Sequence, residues 1–292
     1  SMSRNNIKIG VILQGAETPF MKEVLKGIQE ACAEVDNLGG TVLVHKIEHQ
    51  DAEDVILAME KMRMEEVRGI AMVPLDEERV KREIDRFVEE FRIPVVTFTS
   101  DVEDTKRLCF VGQNGVQCGR AAAGLMGELT GGKGKVAVIS GYSTNTSLSS
   151  RVTGFREEMA RKYPGIEIIG PEYCFEENGR AREITEGIFK EVPDLDGIYL
   201  TSHGEEGVCE AIAGEGKAGQ VKMVANDFMG RNYELMREGF IHFLIGQDAR
   251  IQGYEPVMIL FRLLFNGEAP ERAKIFTEIY IRNEYTIPEG RH

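Results

Sequence analysis

The stretch KIGVILQGAETPFMKEVLKGIQEA, from Lys8 to Ala31, begins as a solidly apolar run and ends as an amphipathic one. An unbroken apolar run is typical of a strand that is covered on both faces, as in a parallel sheet. Thr18 and Pro19 follow the run, and they suit the N-cap and the first position of a helix. The stretch therefore predicts a buried strand, a polar turn and a helix.

The same pattern returns later in the chain. KVAVISG begins at Lys135, which lies 127 residues after Lys8, and GFREEM begins at Gly154, which lies 127 residues after Gly27. An internal repeat of this length predicts two lobes of one architecture, and two facing α/β lobes create a cleft for a ligand.

Strand and helix patterns alternate along the whole chain. Strands are predicted near residues 7–14, 41–47, 69–73, 94–99, 107–112, 135–140, 166–171, 197–201, 222–226, 241–246 and 275–282. Helices are predicted near 19–36, 53–66, 77–91, 114–130, 149–163, 179–190, 204–213, 229–238 and 250–266. The apolar segment YEPVMILFRLLF (254–265) predicts a helix that either lies between layers or covers a partner subunit.

The predicted fold class is α/β, with two similar doubly wound parallel-sheet lobes joined by a hinge that the chain crosses several times. The predicted N-terminal lobe comprises residues 1–112 plus 248–277, and the C-terminal lobe comprises 113–247 plus 278–292. Closure of such a hinge around a ligand is the expected motion.

Composition narrows the classes of function. The 292 residues have a formal net charge of −13 and no long basic block, so contact with DNA would need a segment outside this chain. No apolar run reaches the length of a membrane span, and no signal-peptide pattern opens the chain. The opening SMSR resembles an expression remnant, so a preceding native segment is expected. The five scattered cysteines are odd in number, which favours a reducing compartment and predicts a cytoplasmic protein.

The turns that follow the predicted strands are rich in hydroxyl, amide and aromatic side chains, which suits a small polyhydroxylated ligand. The candidate ligand-binding residues are Thr18, Phe20, Thr99, Asp101, Ser147, Arg151, Phe175, Ser202, His203, Asp227 and Gln247.

Arg151 and Asp227 are two charged candidates for which a ligand-binding role competes with a purely structural one. Arg151 is placed in the first turn of the predicted helix, where a cation faces the positive end of the helix dipole and lowers stability. Its guanidinium could bind adjacent hydroxyls, although a solvated surface arginine is the simpler interpretation. Asp227 ends the apolar segment MVAND and could accept hydrogen bonds from a ligand, cap a helix, or do both.

Catalytic and metal-binding patterns are weak. GGKGK (131–135) lacks the spacing of a phosphate-binding loop, and no dinucleotide-binding glycine motif follows the first strand. The segment that contains His45 and His49 begins as a strand, and this geometry keeps the two side chains too far apart to share a metal ion. SHGEE (202–206) lacks the elbow sequence of a hydrolase. We therefore expect no cofactor, no metal ion and no enzymatic activity; an enzyme that uses His203 or Asp101 is the remaining possibility.

Six motifs in order resemble the type I periplasmic-binding-protein-like superfamily, which ribose-type solute receptors share with the effector domains of LacI-type transcriptional regulators. They are TPF (18–20), IPVVTF (93–98), FVGQNGVQCGRAAA (110–123), RVTGF (151–155), MVANDF (223–228) and IGQDARIQGYEPV (245–257). The resemblance implies sugar contacts for Phe20, Arg151, Phe175, Asp227 and Gln247. Thr99 stands where sugar receptors often have aspartate, and Ser202 and His203 stand in place of a common Asn-Asp pair.

The resemblance implies one of two functions. The principal hypothesis is the effector-binding domain of a LacI-type regulator, a cytoplasmic homodimer that contacts DNA only through a headpiece absent from this chain. The alternative is the solute-binding protein of an ABC sugar importer, which works outside the cytoplasm.

Overall fold

A computed structural model of the protein describes residues 7–290, so the expectation about SMSR lies outside the described residues. The strands are β1 (Lys8–Gln14), β2 (Thr41–Ile47), β3 (Gly69–Met72), β4 (Val95–Phe98), β5 (Cys109–Gln113), β6 (Lys133–Ser140), β7 (Gly165–Tyr173), β8 (Gly197–Leu200), β9 (Lys222–Asn226), β10 (Phe243–Gly246), β11 (Lys274–Thr277) and β12 (Tyr280–Arg282). The helices are α1 (Pro19–Asn37), α2 (Ala52–Met64), α3 (Glu78–Glu89), α4 (Gly115–Thr130), α5 (Thr146–Lys162), α6 (Asn178–Glu191), α7 (Glu205–Gly214), α8 (Asn232–Arg237) and α9 (Ala249–Asn266).

The chain divides into two compact units. The first unit runs to Gln113 and resumes at Asp248–Glu278; the second unit comprises Asn114–Gln247 and the segment that begins at Ile279. The sheet of the first unit has the strand order β11-β5-β4-β3-β1-β2, and that of the second has the order β12-β10-β9-β8-β6-β7. Corresponding strands thus occupy corresponding places, which confirms the predicted duplication of an α/β lobe.

Each sheet is covered by helices on both faces. In β6, Val136 and Val138 pack in one core with α4 and α5, whereas Ala137 and Ile139 pack in another with α6 and α7. Successive residues of a strand point to opposite faces, so both faces of this strand must be apolar. The strand pairs are parallel except that β12 runs antiparallel to β10 at the sheet edge. The predicted class of doubly wound parallel sheets is confirmed.

Glycine lets two helices pack backbone to backbone in each unit. A side chain at Gly27 of α1 or Gly253 of α9 would overlap a carbonyl oxygen of the facing helix. The same holds for Gly119 of α4 and Gly154 of α5 in the second unit. The apolar helix α9 therefore lies against α1 and the sheet of its own unit, as the first of its two predicted alternatives required.

Two differences from the predicted boundaries have clear physical causes. The segment 275–282 is not one strand: β11 pairs with β5 in the first unit, and β12 pairs with β10 in the second. A strand-like composition does not reveal that the chain changes sheets between these residues. The predicted helix near 149–163 begins earlier, at Thr146, because the Asn145 side chain accepts the backbone N–H groups of Ser147 and Leu148. By contrast, Thr18 caps α1 as predicted, since its hydroxyl oxygen accepts the N–H of Met21.

Candidate functional site

The carboxyl end of the second unit's sheet holds a buried arginine. The sequence predicts Arg151 in the first turn of its helix. Because α5 begins at Thr146, Arg151 lies in the second turn instead. Its side chain points to the end of β8, where Nη1 donates to the carbonyl oxygen of Thr201 at 2.5 Å. Arg151 is only 4% exposed, so the alternative of a solvated surface arginine is wrong. A guanidinium carries five N–H donors in a fixed fork, a geometry that suits hydrogen bonds to several acceptors.

Asp227 lies at the end of the neighbouring strand β9 and is 7% exposed. Its backbone has φ +76°, a left-handed conformation that is uncommon for residues other than glycine and that clusters at functional sites. Gln247 donates from Nε2 to the Asp227 carboxylate at 3.3 Å. Asp227 does not cap α8, whose N-cap is Arg231, so that alternative is wrong. Burial raises the pKa of Asp227, against the opposing effect of Arg151 and His203.

A histidine and two glutamates flank these residues. His203 follows β8, and its Nδ1 lies 3.5 Å from Oε1 of Glu205 in the first turn of α7. The Glu176 carboxylate lies 3.5 Å from the backbone nitrogen of His203, which donates to it. Burial is the largest single effect and disfavours the charged imidazole. The hydrogen bond to Glu205 and the negative charges of Glu205, Glu176 and Asp227 together exceed it and raise the pKa of His203 to about 9. The imidazole is therefore cationic at neutral pH.

We expect the stability of the folded chain to depend on pH through His203. Its folded pKa of about 9 exceeds the ordinary value of about 6.5, so its contribution is complete below about pH 6.5 and is lost as the pH rises through about 9. The free energies of unfolding of the wild type and His203→Gln should therefore differ more at about pH 6 than at about pH 10. Urea denaturation measures both. An equal difference at the two pH values would contradict the charged imidazole.

Aromatic and hydroxyl side chains complete this edge. Phe175 is 45% exposed, and its ring centre lies 5.6 Å from that of Tyr142. An exposed ring can stack on the apolar face of a sugar. The hydroxyl of Ser147 donates to Asn145 at 2.6 Å within the helix cap. Ser202 is 5% exposed and donates to the carbonyl oxygen of His203 at 3.0 Å. Among the predicted residues Phe175, Ser147 and Ser202, Phe175 is thus the most exposed.

The first unit places its candidates at the carboxyl end of its own sheet. Thr99 follows β4, the counterpart of β9, and it has φ +62°. Thr99 and Asp227 thus occupy equivalent places and share an unusual backbone conformation. Thr18 donates its hydroxyl to the carbonyl oxygen of Gly15 at 2.9 Å, and Phe20 is partly buried in the first turn of α1.

Asp101 forms an ion pair within the first unit. Nε and Nη2 of Arg107 donate to its two carboxylate oxygens at 2.7 Å each, and the Thr97 hydroxyl donates at 2.8 Å. Both carboxylate oxygens of Asp101 therefore already accept hydrogen bonds within the loop after β4. We therefore leave Asp101 out of the proposed site.

Arg107→Met should destabilise the fold. The Arg107 and Asp101 side chains are 6% and 11% exposed, so removal of the guanidinium leaves a mostly buried carboxylate without its partner. We expect a loss of about 2 kcal/mol in the free energy of unfolding, measured by urea denaturation. The control is Lys106→Met at the exposed neighbouring position, which should change stability by less than about 0.5 kcal/mol. A loss as small as the control's would show that the pair contributes little.

Sequence reasoning missed several residues at the carboxyl edge of the second unit's sheet. Glu176 lies beside the predicted Phe175 and has φ +58°, but a single glutamate in a polar turn carries no signal of its own. Asn232 is 3% exposed and donates from Nδ2 to the carbonyl oxygens of Asn226 and Asp227 at 3.1 and 3.0 Å. Its side chain supports the turn that carries Asp227. The partners are only five and six positions away along the chain, but residue types alone do not show where the Asn232 side chain points.

The cysteines do not indicate a compartment. All five are free thiols; Cys32 is partly buried, and the other four are buried. Burial raises the pKa of each thiol, which makes it a poor nucleophile in any compartment. Within residues 7–290, no group of three or more histidine, cysteine or acidic side chains is arranged to hold a metal ion. In the same part of the chain, no helix combines the length and apolarity that a membrane span requires.

Comparison with known proteins identifies the family. The family model described as "Periplasmic binding protein domain" matches residues 9–269, and the chain belongs to this family. Its members are binding proteins, and the chain is not an enzyme.

Three similar proteins have related names. The "D-allose-binding periplasmic protein" of Escherichia coli is 23% identical over 248 residues, 82% of this chain and 78% of that protein. The "D-ribose/D-allose-binding protein" of Pseudomonas aeruginosa is 26% identical over 235 residues, 77% of this chain and 71% of that protein. The structure of GanP, a glucose-galactose binding protein from Geobacillus stearothermophilus, superposes with a TM-score of 0.89 at 23% identity and covers 97% of this chain and 99% of that one. This likeness confirms the type I periplasmic binding protein fold.

The principal functional hypothesis is wrong. The relatives are named as sugar-binding proteins of the periplasm or of transport, which agrees with the alternative and not with a LacI-type transcriptional regulator. The expectations of a homodimer and of DNA contact followed from the regulator hypothesis, and the comparisons do not support them. The error has a physical reason: both classes use the same carboxyl edges of the same sheets, so motifs at those edges cannot separate them.

Proposed function

We propose that this chain is the sugar-binding protein of an ABC importer and that it works outside the cytoplasm. The observation that carries the proposal is the buried pair of opposite charges, Arg151 and Asp227, at the carboxyl ends of parallel strands in a chain of the periplasmic binding protein family. Charged donors and acceptors in a buried setting form strong hydrogen bonds to neutral hydroxyl groups. The names of the curated relatives support a sugar as the ligand.

The residues of the second unit have complementary roles in this proposal. The guanidinium of Arg151 donates to sugar oxygens, and the carboxylate of Asp227 accepts from sugar hydroxyls. Gln247 orients that carboxylate through its hydrogen bond. The exposed ring of Phe175 stacks on the apolar face of the sugar. Contacts from Thr18, Phe20 and Thr99, and closure of the two lobes around the ligand, stay predictions.

Some features point to a ligand that differs in detail from those of ordinary pentose receptors. Thr99 supplies a hydroxyl where a carboxylate is common in the family, and Asp101 is already paired with Arg107. Ser202 and the cationic His203 replace an amide and a carboxylate. The proposal therefore commits to a monosaccharide without naming one.

The test is a titration of the purified chain with D-ribose, D-allose, D-galactose and D-arabinose. We expect at least one sugar to raise the melting temperature and to give a dissociation constant in the micromolar range or tighter by calorimetry. Glycerol serves as the control for non-specific polyol effects and should give no saturable shift. If no sugar in the panel binds, the proposed function is wrong for these substrates.

A further inference from the structure

Arg151 and Asp227 are connected through helix α4 by a closed series of contacts, called the circuit below. Helix α4 packs on both of the elements concerned: on α5, which carries Arg151, and on β9, which ends just before Asp227. None of its residues was among the predicted ligand contacts.

The first contact joins α4 to the turn that carries Arg151. A Cβ atom at Gly119 would overlap the carbonyl oxygen of Arg151 and would lie 2.8 Å from the backbone nitrogen of Phe155. Backbone atoms cannot rotate away, so any side chain at position 119 must displace this turn of α5. Gly119 is thus in direct van der Waals contact with the residue that carries the guanidinium.

The second contact joins α4 to the strand that carries Asp227. The Sγ of Cys118 donates to Oδ1 of Asn226 at 3.5 Å, and Nδ2 of Asn226 donates to the carbonyl oxygen of Leu200 at 3.0 Å. All three residues are buried. Asn226 therefore ties the end of β9 to the end of β8, with α4 behind it.

The circuit closes through Arg151 itself. The residue after Leu200 is Thr201, whose carbonyl oxygen accepts the hydrogen bond from Arg151. The path runs from α4 to β9, to β8, to α5 and back to α4. Its members are buried or backbone atoms, so none can move without disturbing the next.

We propose that α4 sets the spacing between Arg151 and Asp227, with Gly119 and Cys118 as positioning residues for sugar binding. This inference rests on the proposed function, because it assigns these residues a role at the same site. Neither residue touches the sugar; each acts through a residue that does. A ligand held by two fixed groups loses affinity steeply when one group moves by about 1 Å.

The variant that tests the inference is Gly119→Ala, with D-ribose and D-allose as probes in calorimetry. We expect a loss of affinity of about tenfold or more. The matched control is Gly124→Ala on the same helix, where an added Cβ meets no atom within 4 Å. It should bind within about twofold of the wild type.

A double-mutant cycle separates positioning from general damage. In an Arg151→Ala background, Gly119→Ala should cause little further loss, because its effect passes through the missing guanidinium. Fully additive losses would overturn the inference. If Arg151→Ala leaves affinity unchanged, the proposed site is wrong instead, so the two failures can be told apart.

Two further measurements keep the inference testable if Gly119→Ala folds poorly or if neither sugar binds. Cys118→Ala removes only a sulfur atom and should reduce affinity by about threefold in the wild type and not in the Asp227→Asn background, because its effect passes through the strand that carries Asp227. Crystal structures of the sugar-free wild type and Gly119→Ala should show that the variant has lost the hydrogen bond from Arg151 to Thr201. Retention of that bond in the variant would overturn the inference without any ligand.

Discussion

Arg151→Ala should reduce sugar affinity by a factor of about 100 or more, close to 3 kcal/mol. Arg151 is only 4% exposed. When its guanidinium is removed, a sugar oxygen loses a hydrogen bond that bulk water cannot replace at this buried place. The carboxylate of Asp227 also loses the positive charge that stabilises its ionised form. Calorimetry with the sugar identified in the panel measures the change.

The control for this variant is Arg156→Ala on the same helix. Arg156 also donates to a backbone carbonyl, that of Gly170 at 2.5 Å, but the bond is exposed to solvent. We expect its loss to leave affinity within about twofold of the wild type. Equal affinities of wild type and Arg151→Ala, with both proteins folded by circular dichroism, would remove Arg151 from the site.

Asp227→Asn should have an effect of similar size, about 100-fold. Asparagine tolerates the left-handed conformation that Asp227 adopts, so the substitution removes the charge with little backbone strain. The amide nitrogen cannot accept a hydrogen bond from a sugar hydroxyl, and it places a donor beside the Nε2 donor of Gln247. The expected result is weak binding by a protein that folds normally.

The wild type should also lose affinity on acidification through Asp227. Its pKa is raised by burial, so protonation begins at a higher pH than for an ordinary aspartate. Asp227→Asn should lack that dependence. Asp196→Asn is the matched control, because Asp196 is exposed just before β8, at the opposite end of the sheet, and accepts the backbone N–H of Lys135. If Asp227→Asn binds like this control, the carboxylate is not a ligand contact.

The sequence determined most of the fold because its signals are local. An apolar run predicts a doubly covered strand, and Thr18 followed by Pro19 predicts a helix start; both predictions are confirmed. The 127-residue repeat extended these local signals to two matching units. The exception was the segment 275–282, where a local signal could not show that β11 and β12 belong to different sheets.

The site was only partly accessible to sequence reasoning. The rule that ligands bind at the carboxyl ends of parallel strands selected a set of turns, but it did not show which side chains in them already have hydrogen-bond partners. Asp101 is paired with Arg107 and Ser147 with Asn145, whereas Phe175 is exposed. Hydrogen-bond partners depend on distances of a few tenths of an ångström, which a pattern of residue types does not specify.

The sequence by itself thus determined the class of fold, the duplication and the edge of the sheet at which a ligand is sought. Tertiary structure alone decided that Arg151 is buried against Thr201, 50 positions later, and that Cys118 reaches Asn226, 108 positions later. Hydrophobic periodicity acts over a few residues, whereas burial and hydrogen bonding at this edge arise only when distant helices and strands pack together.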